Sequence, residues 1–197
     1  LKINDQMKPE ILELKQKADQ GDVNSMTKYA KMLSNGEGIP VNKEEAAKYF
    51  KMSADQGDSE AMHSYGFALY KGEGVMLNKE EAAKYFKKSA EGGFLKGIYS
   101  YAQVLNSGEG VSINKEESAR LYKITADRGD ANSMNNYGNI LNKGDGVPMN
   151  KEEASRYIKM AADKNVPYAM HNYALLLLNG DGVPVDKEKA ALYFKMA

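Results

Sequence analysis

The chain has no cysteine and only two histidines, His63 and His171, among its 197 residues. The first absence excludes disulfides, thiol nucleophiles and thiolate metal sites, and it suits a reducing compartment. The second argues against zinc chemistry, so neither a metal nor a cofactor is expected. No charge sign dominates, because 27 Lys and Arg face 27 Asp and Glu. Nucleic-acid binders gather a basic excess on one face, so nucleic acid is not an expected partner. Long apolar runs are missing too. The longest, Tyr173 to Leu178, falls far short of the roughly 20 residues that span a bilayer, and no membrane span is expected. The start, Leu1 to Lys8, is polar and unlike a signal peptide. No asparagine stands in an Asn-X-Ser/Thr sequon, which leans towards a cytoplasmic setting. What remains is a chain with 42% apolar residues, enough for a sizeable core in a soluble, globular protein.

The most informative feature is a repeat. Glycine pairs of the form GxG stand at Gly36/Gly38, Gly72/Gly74, Gly108/Gly110, Gly144/Gly146 and Gly180/Gly182, a step of 36 residues that never slips. The segment NKEEAA at Asn42 recurs on the same step as NKEEAA at Asn78, NKEESA at Asn114, NKEEAS at Asn150 and DKEKAA at Asp186. Each unit holds two helix patterns. In the first, the M helix, Met62, Tyr65, Gly66 and Leu69 recur at helical spacing, with Asp58 as N-cap and Gly72 as the terminating residue. In the second, the E helix, Asn42 caps the start, Glu45 follows three residues on as in a capping box, and Ala46, Tyr49, Phe50 and Ala54 form the apolar stripe. Small residues, Ala30, Gly66, Ala102, Gly138 and Ala174, each follow a tyrosine and permit close helix crossing. One such pair cannot bury both stripes, so neighbouring pairs must stack; the expected fold is an all-α solenoid.

The segment AMHSYGFALYKGEGV followed by NKEEAAKYFKMSADQG resembles the Sel1-like repeat, a relative of the tetratricopeptide repeat. The resemblance runs from Asp22 to Ala197, with a divergent helix in residues 1–21 before it, so the chain is expected to be a single array, 1–197, of about five and a half repeats. It implies a right-handed superhelix of antiparallel helix pairs whose M helices line a concave side, and an adaptor role towards other proteins. Some bacterial members of the family, built with paired cysteines, are credited with weak β-lactam binding or hydrolysis. This chain has no cysteine, and catalysis is not expected.

Other readings of the same residues are weaker. The GxG pairs follow a helix and lack the third glycine of a dinucleotide fingerprint, so they read as turns. The methionine and tyrosine stripes read as core, and the KEE runs as a self-paired, solvated helix start. The two histidines lie three units apart, too far for a catalytic dyad.

Variation between copies concentrates on one stripe of the M helices, and this is the candidate partner-binding surface: Lys28, Lys31, His63, Phe67, Tyr70, Tyr99, Gln103, Asn106, Asn135, Asn139, Asn142, His171 and Leu175. Carboxamides can serve an extended peptide backbone, and exposed aromatics can anchor side chains. The expected function is therefore a non-catalytic scaffold holding a peptide or protein segment. Next comes an array that assembles end to end or serves a longer multidomain protein, and last a hydrolase. Two local expectations follow. The third M helix should be soft, because Phe94 replaces the aspartate cap and Gly97 an alanine. The last E helix repeats an interior stripe with Ala190, Ala191, Tyr193 and Phe194, so the array is expected to continue past residue 197 or to self-associate through that edge.

Overall fold

The structure is a computed structural model that describes residues 7–197. Among them are eleven helices and no strand: α1 (Pro9–Asp19), α2 (Val23–Asn35), α3 (Lys43–Asp55), α4 (Ser59–Lys71), α5 (Lys79–Glu91), α6 (Leu95–Ser107), α7 (Lys115–Asp127), α8 (Ala131–Lys143), α9 (Lys151–Asp163), α10 (Pro167–Asn179) and α11 (Lys187–Met196). None of these is long and apolar enough to cross a membrane. The even-numbered helices are the M helices and α3, α5, α7, α9 and α11 the E helices, with α1 standing in the E position before the first copy.

Helix boundaries follow from local chemistry. Asp22, Asp58 and Asp130 accept from the backbone N–H three residues on, at 2.8, 2.8 and 2.6 Å, which starts α2, α4 and α8. Asn42, Asn78, Asn114 and Asn150 do the same for the E helices, each at 3.0 Å. The capping box differs from expectation in its return arm. Glu45 accepts from the Asn42 side chain at 3.2 Å, because the Asn42 N–H already donates to the Leu33 carbonyl at 2.9 Å. The M helices end where Gly36, Gly72, Gly144 and Gly180 adopt the left-handed conformation.

The two helices of a copy pack antiparallel, as α2 and α3 show. In the first copy Met26 on α2 lies beside Gln56, Thr27 bonds Ser53, the Tyr29 ring meets Tyr49, and Leu33 bonds Asn42, so one helix counts up as the other counts down. Edge-on tyrosine pairs recur at Tyr29–Tyr49, Tyr65–Tyr85, Tyr137–Tyr157 and Tyr173–Tyr193, with ring centroids 4.9 to 5.1 Å apart. E helices also pack on the M helix that follows, α3 on α4, α7 on α8 and α9 on α10, which is the stacking of an α-solenoid. The expected stripes supply the core: Met26, Tyr29, Ala46, Tyr49, Phe50, Ala54, Met134, Tyr137 and Met170 are all buried.

By internal contacts the chain forms two compact units. One runs to Val104 and includes Glu109–Val111; the other comprises Leu105–Gly108 and Ser112–Ala197.

Within each unit, successive copies are joined by the GxG turn. A Cβ on the second glycine would meet the first turn of the preceding E helix: at Gly74 it would lie 2.1 Å from the Lys43 carbonyl oxygen, and at Gly182 1.9 Å from that of Lys151. The residue between the glycines completes the joint. Lys43 pairs with Glu73 at 2.9 Å, Lys79 with Glu109 at 2.5 Å, Lys115 with Asp145 at 3.2 Å and Lys151 with Asp181 at 2.7 Å. The glutamates of the KEE runs pair within their own helix as expected, Glu81 with Lys84, Glu117 with Arg120 and Glu153 with Arg156, while the lysine reaches forward to the next copy.

The third M helix forms over the same 13 residues as its equivalents. Gly97 has a packing reason: a Cβ there would stand 2.6 Å from Ser89 Cβ and 2.1 Å from its hydroxyl, which donates to the Ser59 carbonyl. Gly138 likewise makes room for Ile158 Cγ1, at 2.5 Å from an added Cβ, as expected for a small residue at a close crossing. On the last E helix Ala190 is buried and Phe194 is half-buried with its ring 5.2 Å from His171, whereas Ala191 is exposed.

Candidate functional site

All thirteen candidate residues lie on M helices, but their surroundings differ sharply. In the first unit a groove of about 290 Å³ runs between α2, α3, α4 and the start of α6, and it gathers Lys31, His63 and Phe67. Phe94 and Lys96 complete one wall. Lys96 lies on the same varied stripe of the M helices as the candidates and supplies charge there, whereas Phe94 stands outside that stripe. The signal of Phe94 in the sequence is the loss of the aspartate cap, which reads as a weakness until the fold shows where that ring goes.

The groove arises where His63, Phe67 and Phe94 stand in place of Thr27, Lys31 and Asp58 of the copy before. In the first copy Thr27 donates to Asp58, the N-cap of the next M helix, at 3.2 Å. One copy on, that polar couple is replaced by His63 and Phe94, with ring centroids 5.6 Å apart. The Phe86 ring lies 5.7 Å from His63 and the Phe67 ring 6.5 Å, and Phe67 remains 43% exposed. Lys31, Gln103, Asn139 and Leu175 occupy the Phe67 position in the other copies.

His63 is not the exposed groove residue that the sequence suggests. It is half-buried, and its Nε2 lies 3.0 Å from Ser100 Oγ on α6. Desolvation, aided by the nearby Lys96 ammonium, lowers its pKa to about 4. The folded chain therefore keeps this imidazole neutral at pH values where the unfolded chain protonates it. Stability from this group is complete above the unfolded value near 6.5 and declines as pH falls towards 4, by about 2 kcal/mol once partial exposure is discounted. Urea melts at pH 7 and 4.5 should show a smaller acid loss in His63→Asn than in the natural chain; identical losses would exclude this residue as the cause.

The remaining candidates are engaged or dispersed. Asn135 is buried, 3% exposed, and accepts from the Asn172 amide at 2.9 Å, which corrects its reading as a solvent-facing group. The cause is the next M helix, α10, which stacks on this position of α8. Tyr70 donates to Glu109 and lies 5.1 Å beneath Lys79. Asn106 accepts from Lys115 at 2.8 Å, and Asn142 keeps a buried Oδ1 that has no hydrogen-bond partner. Tyr99 and Asn139 are half-buried, while Lys28, Gln103, His171 and Leu175 are exposed. These residues do not converge with Lys31, His63 and Phe67 on the groove. Among the described residues no three His, Asp or Glu gather as a metal site.

A family model described as Sel1 repeat matches residues 23–58, 59–94, 95–130, 131–166 and 167–197, so each matched copy is one M helix and its E helix. The structure is similar to that of a Sel1 repeat protein from Oxalobacter formigenes, with 26% identity, a TM-score of 0.83, and coverage of 90% of this chain and 73% of that one. It is also similar to c5321, a protective antigen present in uropathogenic Escherichia coli strains displaying an SLR fold, at 22% identity and TM-score 0.79. Coverage there is 94% of this chain and 48% of the other, so this chain spans about half that protein's length. The fold is shared with Helicobacter pylori cysteine rich protein B at 18% identity and TM-score 0.50, over 61% of this chain and 92% of that one. No curated protein matches the sequence significantly. With five consecutive copies matched from residue 23 to residue 197, the chain belongs to the Sel1 repeat family, whose members generally serve as scaffolds for protein interaction.

Proposed function

We propose that this chain is a non-catalytic adaptor that holds a peptide or protein segment in the groove beside α4. One observation carries the reading: the groove brings His63, Phe67 and Phe94 together in a combination that no other copy repeats, and it leaves Phe67 open to solvent. An exposed ring at the mouth of a cavity is the kind of anchor that contributes most to interface energy. The face is the one that the Sel1 resemblance expects to be concave. His63 and Ser100 do not make a hydrolase site, because a base with a pKa of about 4 is poorly matched to taking a serine proton near neutral pH. Their hydrogen bond serves instead to tie α4 to α6.

The reading takes residues 1–197 as one array in unbroken 36-residue register and sets it in the cytoplasm. A protein captured from the source cell by the natural chain is expected to bind Phe67→Ser at least about tenfold more weakly by titration, a difference of about 1.4 kcal/mol. The two thermal melts should coincide, because the Phe67 ring contributes little to the core. Undiminished affinity in the Phe67 variant would remove the groove as the binding site.

A further inference from the structure

The charges around the groove do not cancel, and the residual charge selects a ligand. Five charged side chains line it: Lys31, Lys43, Glu60, Glu73 and Lys96. Lys31 pairs with Glu60 at 2.7 Å and Lys43 with Glu73 at 2.9 Å, so four of the five are already matched. Lys96 is exposed and has no ion pair among the described residues. It sits two residues beyond Phe94, at the start of α6, on the side where His63 and Phe94 form the aromatic wall. The other M helices carry Lys or Arg at this position nowhere else: Asn24, Glu60, Asn132 and Tyr168 stand there. The unmatched cation therefore coincides with the same local departure from the repeat that builds the aromatic wall.

We propose that the groove takes a peptide segment in which an apolar side chain lies within one or two residues of an Asp or Glu. The apolar group fills the space against Phe67 and Phe94, and the carboxylate meets the Lys96 ammonium. The spacing follows from chain geometry, since Phe94 and Lys96 are two positions apart and their Cα atoms can be no more than about 7 Å from each other. An extended ligand covers that distance in about two residues, at roughly 3.3 Å each. A basic segment would place like charges together at Lys96, and a neutral one would leave the ammonium uncompensated. This inference rests on the groove reading of the preceding subsection and adds the chemistry of the occupant.

The test is a selection of random heptapeptides displayed on phage against the natural chain, Phe67→Ser and Lys96→Gln, with thermal melts to verify that the three fold alike. Peptides enriched by the natural chain should carry Asp or Glu within two positions of an apolar residue. Phe67→Ser should enrich none of them, and Lys96→Gln should enrich apolar peptides with no acidic preference. A synthetic copy of the strongest peptide should lose about three- to fivefold in affinity when its acid is changed to the amide, the scale of an exposed ion pair. The same change should alter affinity less than about twofold on Lys96→Gln, and the difference should shrink at 0.5 M salt. Enrichment that depends on Phe67 but shows no acidic preference would overturn the ligand class and leave the groove reading standing. Enrichment indifferent to Phe67, or none at all, would overturn both.

Discussion

Truncation of Tyr137 to alanine is expected to lower stability by about 3 to 5 kcal/mol, the scale of a large aromatic deletion in a packed core. The ring is buried on α8 and meets Tyr157 edge-on at 4.9 Å, and Tyr157 in turn donates to Asp127 at 2.6 Å. Removing Tyr137 leaves a cavity at the centre of one helix pair and frees the neighbouring ring whose hydroxyl reaches back to α7. In a solenoid each copy is stabilised mainly by its neighbours, so the loss spreads beyond one helix pair. Tyr137→Phe keeps the ring contact and should cost less than about 1 kcal/mol. Chemical denaturation of the three proteins measures this. A loss below about 1 kcal/mol for the alanine variant would mean that the tyrosine pairs do not anchor the core.

The second large effect is expected at Gly74. An alanine there must hold φ near +72°, a conformation that costs an L-residue roughly 1 to 2 kcal/mol. Its Cβ must also displace the Lys43 carbonyl, which lies 2.1 Å away and belongs to backbone that cannot turn aside as a side chain can. Opening that approach loosens the Glu73–Lys43 pair beside it. The expected total is above about 3 kcal/mol once overpacking is added to the strain. Gly57→Ala is the control, because its φ is +97° and nothing lies within 4 Å of the new methyl. It should lose only the conformational part. Equal losses for the two variants would show that close approach at the joint contributes nothing.

Both effects depend on features of different legibility. The pairing of M and E helices, their caps and the Tyr137 stripe could be read from one copy, because apolar spacing within a helix marks the face turned to its partner. The joint could not. Gly74 reads as a turn residue in sequence, and only the fold brings the backbone of Lys43, 31 residues earlier, against it. Asn135 and His63 were misread for a related reason. Their helices have a second covered flank, beneath the next M helix, and polar residues there satisfy one another across the stack as Asn135 and Asn172 do. Hydrophobic periodicity cannot register a contact made by amides and hydroxyls. Phe94 was missed as a site residue because a missing cap is visible in sequence, whereas the groove it opens onto is built from three other helices.

The joints have a consequence for how such a chain changes. Each uses the same parts, a lysine at the head of one E helix with an acid and a glycine from the next turn, and those parts are set 30 and 31 residues apart wherever they occur. A whole 36-residue segment can therefore be duplicated or lost with the joint between the new neighbours kept. The groove, by contrast, depends on a combination of His63, Phe67, Phe94 and Lys96 that occurs once in the array. Length and selectivity are thus separately heritable: recombination among near-identical copies can lengthen the protein while point substitutions in a single copy redirect what it holds.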